Sequence, residues 1–345
     1  MSNSTAPPLS TQGPKEYGSS VTTTKNDAPS SADPRPQGVR ALTQKLEPHA
    51  NKIAIANVIA QIGIIVTGGL VRLTGSGLGC STWPMCEPGQ FTPVFHEEVT
   101  YHPFIEFGNR TLTGVLTVIA ILLVLAVAFD RTRTPAMRRM AWLPLALVAL
   151  QAVIGGITVL VDLHPAIVAG HMAISILLVA VSALIQYRLS STPRTSVATH
   201  PAWLGQATWI LFSLLIPVSI MGVIVTGSGP HSGDTEVGYR LEFDPMSISK
   251  IHALFVWFFV IMLIIVGVGM VLARRAGALI TRAQLNGFGW VLAVTLAQGA
   301  VGYYQTYNGL PIFVVLAHML GAGLLTLVTV RFLALMTEPV SARVS

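Results

Sequence analysis

Eight apolar runs, each long enough to cross a hydrocarbon layer, constrain this chain more than any other feature. They lie at roughly 52–72, 104–129, 140–161, 166–188, 205–226, 249–273, 284–304 and 311–336, and a membrane-spanning helix needs about 20 consecutive, mostly apolar residues. Over runs of this length, a helix satisfies its backbone hydrogen bonds internally where no water is available. The expected fold is therefore an all-α polytopic membrane protein. Composition agrees, with 52% hydrophobic and 10% charged residues, against about 25% charged in a soluble globule.

Basic residues set the expected orientation. With a cytoplasmic N-terminus, 17 of the 21 Lys and Arg fall inside, leaving only Arg72, Arg110, Arg240 and Lys250 outside. Acidic residues such as Glu87, Asp162, Asp234 and Glu242 show the opposite bias. Both termini are expected in the cytoplasm of a multi-pass cell-membrane protein, and the net charge of +6 reflects topology, with no nucleic-acid partner implied. Residues 1–50 are rich in Ser, Thr, Pro and Gly, which predicts a disordered cytoplasmic tail with no cleavable signal peptide. Residues 191–204 read as a cytoplasmic linker and 337–345 as a short cytoplasmic tail. His49 and His200 read as surface histidines.

The chain repeats itself. Gln151, Gly155 and His171 recur as Gln298, Gly302 and His318 at one offset of 147 residues, and Leu73-Thr74-Gly75-Ser76-Gly77 recurs as Val225-Thr226-Gly227-Ser228-Gly229 at an offset of 152. Two four-helix bundles, 51–190 and 205–336, are expected, in one orientation because each has an even number of crossings.

The only cysteines, Cys80 and Cys86, flank Ser81-Thr82-Trp83-Pro84-Met85 in the first outer loop. On the oxidising side of a membrane they read as a disulfide or as a redox-active pair. His96 and His102 in the same loop are expected to be solvated. Arg72, at the outer boundary, either snorkels or pairs with an anionic ligand group.

Each even-numbered run carries polar residues a short way in from the outer side: Glu106 and Asn109 on the second, His171 on the fourth, His252 on the sixth and His318 on the eighth. Spacings of three and four place Glu106, Asn109 and Arg110 on one helical face. Ionisable groups inside a membrane are costly and point to function. A lone histidine of this kind is as readily an interhelical hydrogen bond, but histidines at matched positions are not so easily dismissed. Without Cys, Asp or Glu at the same depth to complete a zinc site, facing imidazoles suit haem iron. His252 and His318 thus read as the axial pair of one haem. Arg72, Arg240 and Lys250 lie at the height of its propionates, or are unpaired surface charges. The N-terminal bundle differs, with Glu106, Asn109 and Arg110 opposite His171.

These residues resemble the haem A synthase family over about 52–336. The resemblance is carried by the stretch Val71-Arg72-Leu73-Thr74-Gly75-Ser76-Gly77-Leu78-Gly79-Cys80, by Trp83-Pro84 and Cys86, by Glu106 with Asn109-Arg110, and by His171, His252 and His318. It implies oxidation of the C8 methyl of haem O to the formyl of haem A, through a hydroxymethyl intermediate, for cytochrome oxidase biogenesis. It also implies a haem b cofactor on His252 and His318, and a substrate haem on His171 with Glu106 as the catalytic carboxylate. Asn109, Arg110 and Arg72 would contact the substrate site. Implied partners are a haem O synthase, an electron donor or acceptor and membrane lipid, and an oligomer is compatible. The family often has His where this chain has Asn109, so a single iron ligand, His171, is expected on the substrate side. Two other classes share some features: a di-haem quinol-oxidising cytochrome, which gives Glu106 no essential role, and a transporter with histidine proton relays.

Overall fold

The structure, a computed structural model, describes residues 37–94, 101–190, 200–234 and 236–338. Eight of its helices are long and apolar enough to cross a membrane. After α1 (Gln37–Leu46) and a 3-10 turn (Glu47–His49), the chain forms α2 (Ala50–Leu73), α3 (His102–Val127), the short α4 (Pro135–Met140), α5 (Leu143–Leu160) and α6 (Pro165–Ser190). There follow α7 (Ala202–Ser228), α8 (Pro245–Arg275), α9 (Arg282–Tyr307) and α10 (Ile312–Thr337).

Local chemistry places the helix ends. Pro165 and Pro245 open α6 and α8, where a missing N–H costs nothing. Asp244 caps α8 by accepting from Ser247 N at 2.8 Å, so this helix starts earlier than its apolar run. Thr281 and Gln284 form a reciprocal capping box at α9. The third run is preceded by a separate short helix, α4, capped by Thr134 with Pro135 in its first turn, and a turn at Ala141–Trp142 leads from it into α5.

The expectation of a disordered tail to residue 50 is corrected over 37–49, which is helical; residues 1–36 lie outside the described residues. Val39, Leu42 and Leu46 recur at helical spacing, and Leu46 packs on the apolar cluster of Ala54, Leu123 and Ile185.

In the N-terminal half, α2 packs on α3 and α6, and α5 on α6. In the C-terminal half, α7 packs on α8 and α10, and α9 on α10, while α8 barely touches α9. Between the halves, α10 meets α2 and α6, and α6 meets α7. Two turns 147 residues apart are built alike. Asp162 and Leu163 have φ of 49° and 58°, Gly309 and Leu310 have 72° and 58°, and Leu163 N and Leu310 N donate to Thr158 O and Gln305 O at 2.8 and 2.9 Å. Left-handed leucines are strained; these bonds to the orphan carbonyls of the preceding helix offset the strain.

Cys80 and Cys86 are joined by a disulfide and fully buried, their Cα atoms 4.4 Å apart. At this disulfide end the segments following α2 and α7 interlock: Ser76 bridges Asp234, and Gly77 N donates to Gly233 O at 2.8 Å. Leu163 is wedged against both glycines. The tightest apolar packing lies toward the other end of the helices, around Leu123, Val127 and Ile185 in one half and Leu211, Met270 and Phe332 in the other. One end is closed by packing, and the polar groups gather near the other.

Candidate functional site

Three imidazoles lie on three glycines. A Cβ added to Gly155 on α5 would stand 3.4 Å from His171 Cε1, one on Gly222 of α7 3.3 Å from His252 Cε1, and one on Gly302 of α9 3.4 Å from His318 Cε1. Each histidine falls within the first eight residues of its helix, so all three share one depth at the disulfide end. Each Nδ1 is buried and lacks a hydrogen-bond partner. The Val218 backbone on α7 lies beside the His252 ring. At Gly222 and Gly302, Nε2 is the ring nitrogen farther from the glycine. His252 and His318 lie within electrostatic reach of each other. Gln151 fixes the turn carrying His171 by donating to His171 O at 2.9 Å and Ser175 Oγ at 2.7 Å.

Glu106 is 5% exposed and fully engaged. Its Oε2 accepts from the Cys80 amide at 2.7 Å, and Oε1 accepts from Arg110 Nε at 3.0 Å and from Arg110 Nη2. Arg110 Nη1 also donates to Thr82 O at 2.8 Å and Met85 O at 3.3 Å. The ion pair therefore staples the disulfide loop to α3. No hydrogen bond joins Glu106 to His171 among the described residues.

Asn109 faces α2, where its Oδ1 accepts from Thr67 Oγ1 at 2.7 Å. Arg72 turns away from the N-terminal half and donates from Nη2 to Thr226 O on α7 at 2.8 Å. His102 is not free in solvent: its Nδ1 and Ser76 Oγ are 2.8 Å apart, because α3 starts at this residue. His96 lies outside the described residues. Trp83 seats its indole against Gly156, where an added Cβ would come within 2.6 Å of the ring.

The donor set can be tested against a haem. Among the described residues no group of three or more His, Cys, Asp or Glu could hold a metal ion. Two neighbouring imidazoles on α8 and α10, with orphaned nitrogens and little contact between α8 and α9, do fit a bis-imidazole haem. Among the described residues of the N-terminal half His171 is the only imidazole at this depth, and an amide, a poor iron ligand but a good hydrogen-bond partner, stands on α3.

Sequence reasoning missed Thr67, Gly156 and Gly222 as partners. The Gly155-Gly156 doublet was visible, but nothing in the sequence tells which loop side chain lands on it.

The profile of a family described as cytochrome oxidase assembly protein matches residues 51–230. A haem A synthase of Geobacillus kaustophilus is 25% identical over 276 residues, covering 77% of this chain and 84% of that protein. One from Exiguobacterium sibiricum is 32% identical over 173 residues, 48% of this chain and 53% of the relative. One from Bacillus pumilus is 31% identical over 129 residues, 36% and 40% respectively. The matched stretch thus spans about half or less of the last two relatives.

Proposed function

Because the chain belongs to the cytochrome oxidase assembly protein family, the family of the haem A synthases, we propose that it oxidises the C8 methyl group of haem O to the formyl group of haem A. The route runs through a hydroxymethyl intermediate and serves cytochrome oxidase biogenesis. The observation that carries this reading is a contrast at one depth: a histidine pair on α8 and α10, and in the other half a single histidine on α6 with a buried carboxylate, Glu106, on α3. A permanently ligated electron carrier needs the first; a site that must admit, oxidise and release a haem suits the second.

His252 and His318 would hold haem b, which supplies one-electron transfer when bound. His171 would take the iron of the haem O substrate, with Asn109 held back from it by Thr67. Glu106 would orient or deprotonate water, or balance positive charge developing on the oxidised methyl carbon. Arg110 and the Cys80 amide keep that carboxylate in one place. Both termini would face the cytoplasm, with the disulfide end outside. Since haem O is too apolar to diffuse through water, a haem O synthase is the natural donor, and a redox partner takes up the electrons.

The test is to incubate the purified protein with haem O and a redox partner, and to follow porphyrins by mass spectrometry. Hydroxymethyl and then formyl products are expected. Their absence, with the C-terminal haem intact, would leave a di-haem electron-transfer cytochrome.

A further inference from the structure

Arg72 belongs to the N-terminal half by sequence and to the C-terminal half by contact. Its Nη2 is bonded to Thr226 O on α7, and its Nε is buried without a hydrogen-bond partner. The interlocked loop covers its stem, with Arg72 Cγ 3.9 Å from a Cβ placed on Gly233. Arg240, from the same loop, stands within electrostatic reach of it and donates from Nη1 to Gly229 O. Neither guanidinium pairs with a carboxylate among the described residues. Two like charges held together with a buried, unsatisfied donor are costly unless an anion joins them.

The height of the pair identifies the anion. Thr226 follows Gly222 on α7 by four residues, a rise of about 6 Å, and Gly222 is the residue on which the His252 ring lies. A planar ligand held at His252 and His318 with two carboxylates at one edge would present them to these guanidiniums. We propose that Arg72 and Arg240 form a clasp across the two halves for the propionate carboxylates of the haem in the C-terminal half. This rests on the haem reading above and adds that the N-terminal half supplies part of the C-terminal cofactor site. The substrate haem could offer the same carboxylates, but the contacts of Arg72 run to α7 and the loop after it. Arginine matters for its fork, which engages a carboxylate through two bonds where lysine offers a point charge.

The experiment compares wild type, Arg72→Gln, Arg240→Gln, the double variant and Arg72→Lys, each as full-length protein in detergent. It measures haem per polypeptide, the midpoint potential of the low-spin haem, and KM for haem O. Loss of cations beside the propionates favours the ferric form. The double variant is expected to move the ferrous-to-ferric ratio about tenfold, or about 59 mV downward for one electron, and to lose haem faster. Arg72→Lys is expected to hold the potential closer to wild type while still losing haem faster, and it keeps the proposal testable if the glutamine variants do not accumulate. Unchanged potential and haem retention in the variants would overturn the clasp. So would a raised KM for haem O with an unchanged potential, which would assign Arg72 to the substrate. A wild-type protein that holds no haem would sink the functional reading as well, whereas an unchanged potential sinks the clasp alone.

Discussion

The two halves share a device and differ in what surrounds it. Both lay an imidazole on a glycine at the same depth and enter the helix below it through the same left-handed turn. In the C-terminal half α8 adds a second imidazole, His252. In the N-terminal half α3 brings Asn109, flanked by Glu106 and Arg110, and a disulfide loop anchored to that helix. Gly156, which receives Trp83, corresponds at the offset of 147 residues to Tyr303. These departures from likeness fall on the N-terminal half's α3, its loop and the glycine that seats the loop. A ligand gripped from both sides stays; one gripped from a single side, under a loop, can be exchanged.

The sharpest way to break this comparison is to remove the ligands. His252→Ala or His318→Ala should abolish the low-spin haem spectrum and all haem O conversion, whereas His171→Ala should keep the spectrum and lose conversion. The reverse pattern would exchange the roles of the halves. Next in size is Glu106→Gln, which keeps an acceptor for the Cys80 amide but removes the charge. Conversion should fall about 100-fold or more with haem content unchanged. A parallel fall in thermal stability and haem content would reduce Glu106 to a loop anchor.

Asn109→His tests whether the amide is what keeps the N-terminal site open. It should restore a second imidazole, turning part of the bound haem O from five-coordinate to low-spin six-coordinate in the optical spectrum. An unchanged spectrum would remove Asn109 from the site.

The smallest expected effect lies at the far end. Burial alone would raise the Asp130 carboxyl, but hydrogen bonds from Thr132 and the Arg133 guanidinium more than offset it and hold it below the usual carboxylate range. A carboxyl depressed on folding adds stability above its unfolded value of about 3.9, and that stability is lost as pH falls through the folded value. Asp130→Asn should therefore flatten the dependence of melting temperature on pH below about 5. The corresponding turn of the C-terminal half, Ala276-Gly277, carries no titratable side chain to produce such a slope.

What could be read before the structure was whatever repeats or runs long. The eight spans and the matched histidines were legible because apolar length and a fixed offset are properties of sequence alone. Capping chemistry moved the boundaries: Asp244 lengthened α8, and Thr134 started a short α4 ahead of α5. The helix at 37–46 escaped notice because three apolar residues at helical spacing are faint in a polar context. His102 was misread because its partner, Ser76, lies 26 positions away. The staple between Glu106, Arg110 and the disulfide loop was legible only as its i,i+4 ion pair. The loop carbonyls that complete it come from backbone geometry, which residue identities do not encode.

The contact of α2 with α10 mirrors that of α6 with α7, while α6 meets α10 between them. This is the pattern of an isologous dimer whose two protomers share one polypeptide. In a true homodimer any substitution appears on both sides of the axis at once. Here Asn109 can stand on α3 where α8 holds His252, so a chain with dimer-like packing can vary one half while the other is kept, without needing two different subunits to find each other in the membrane.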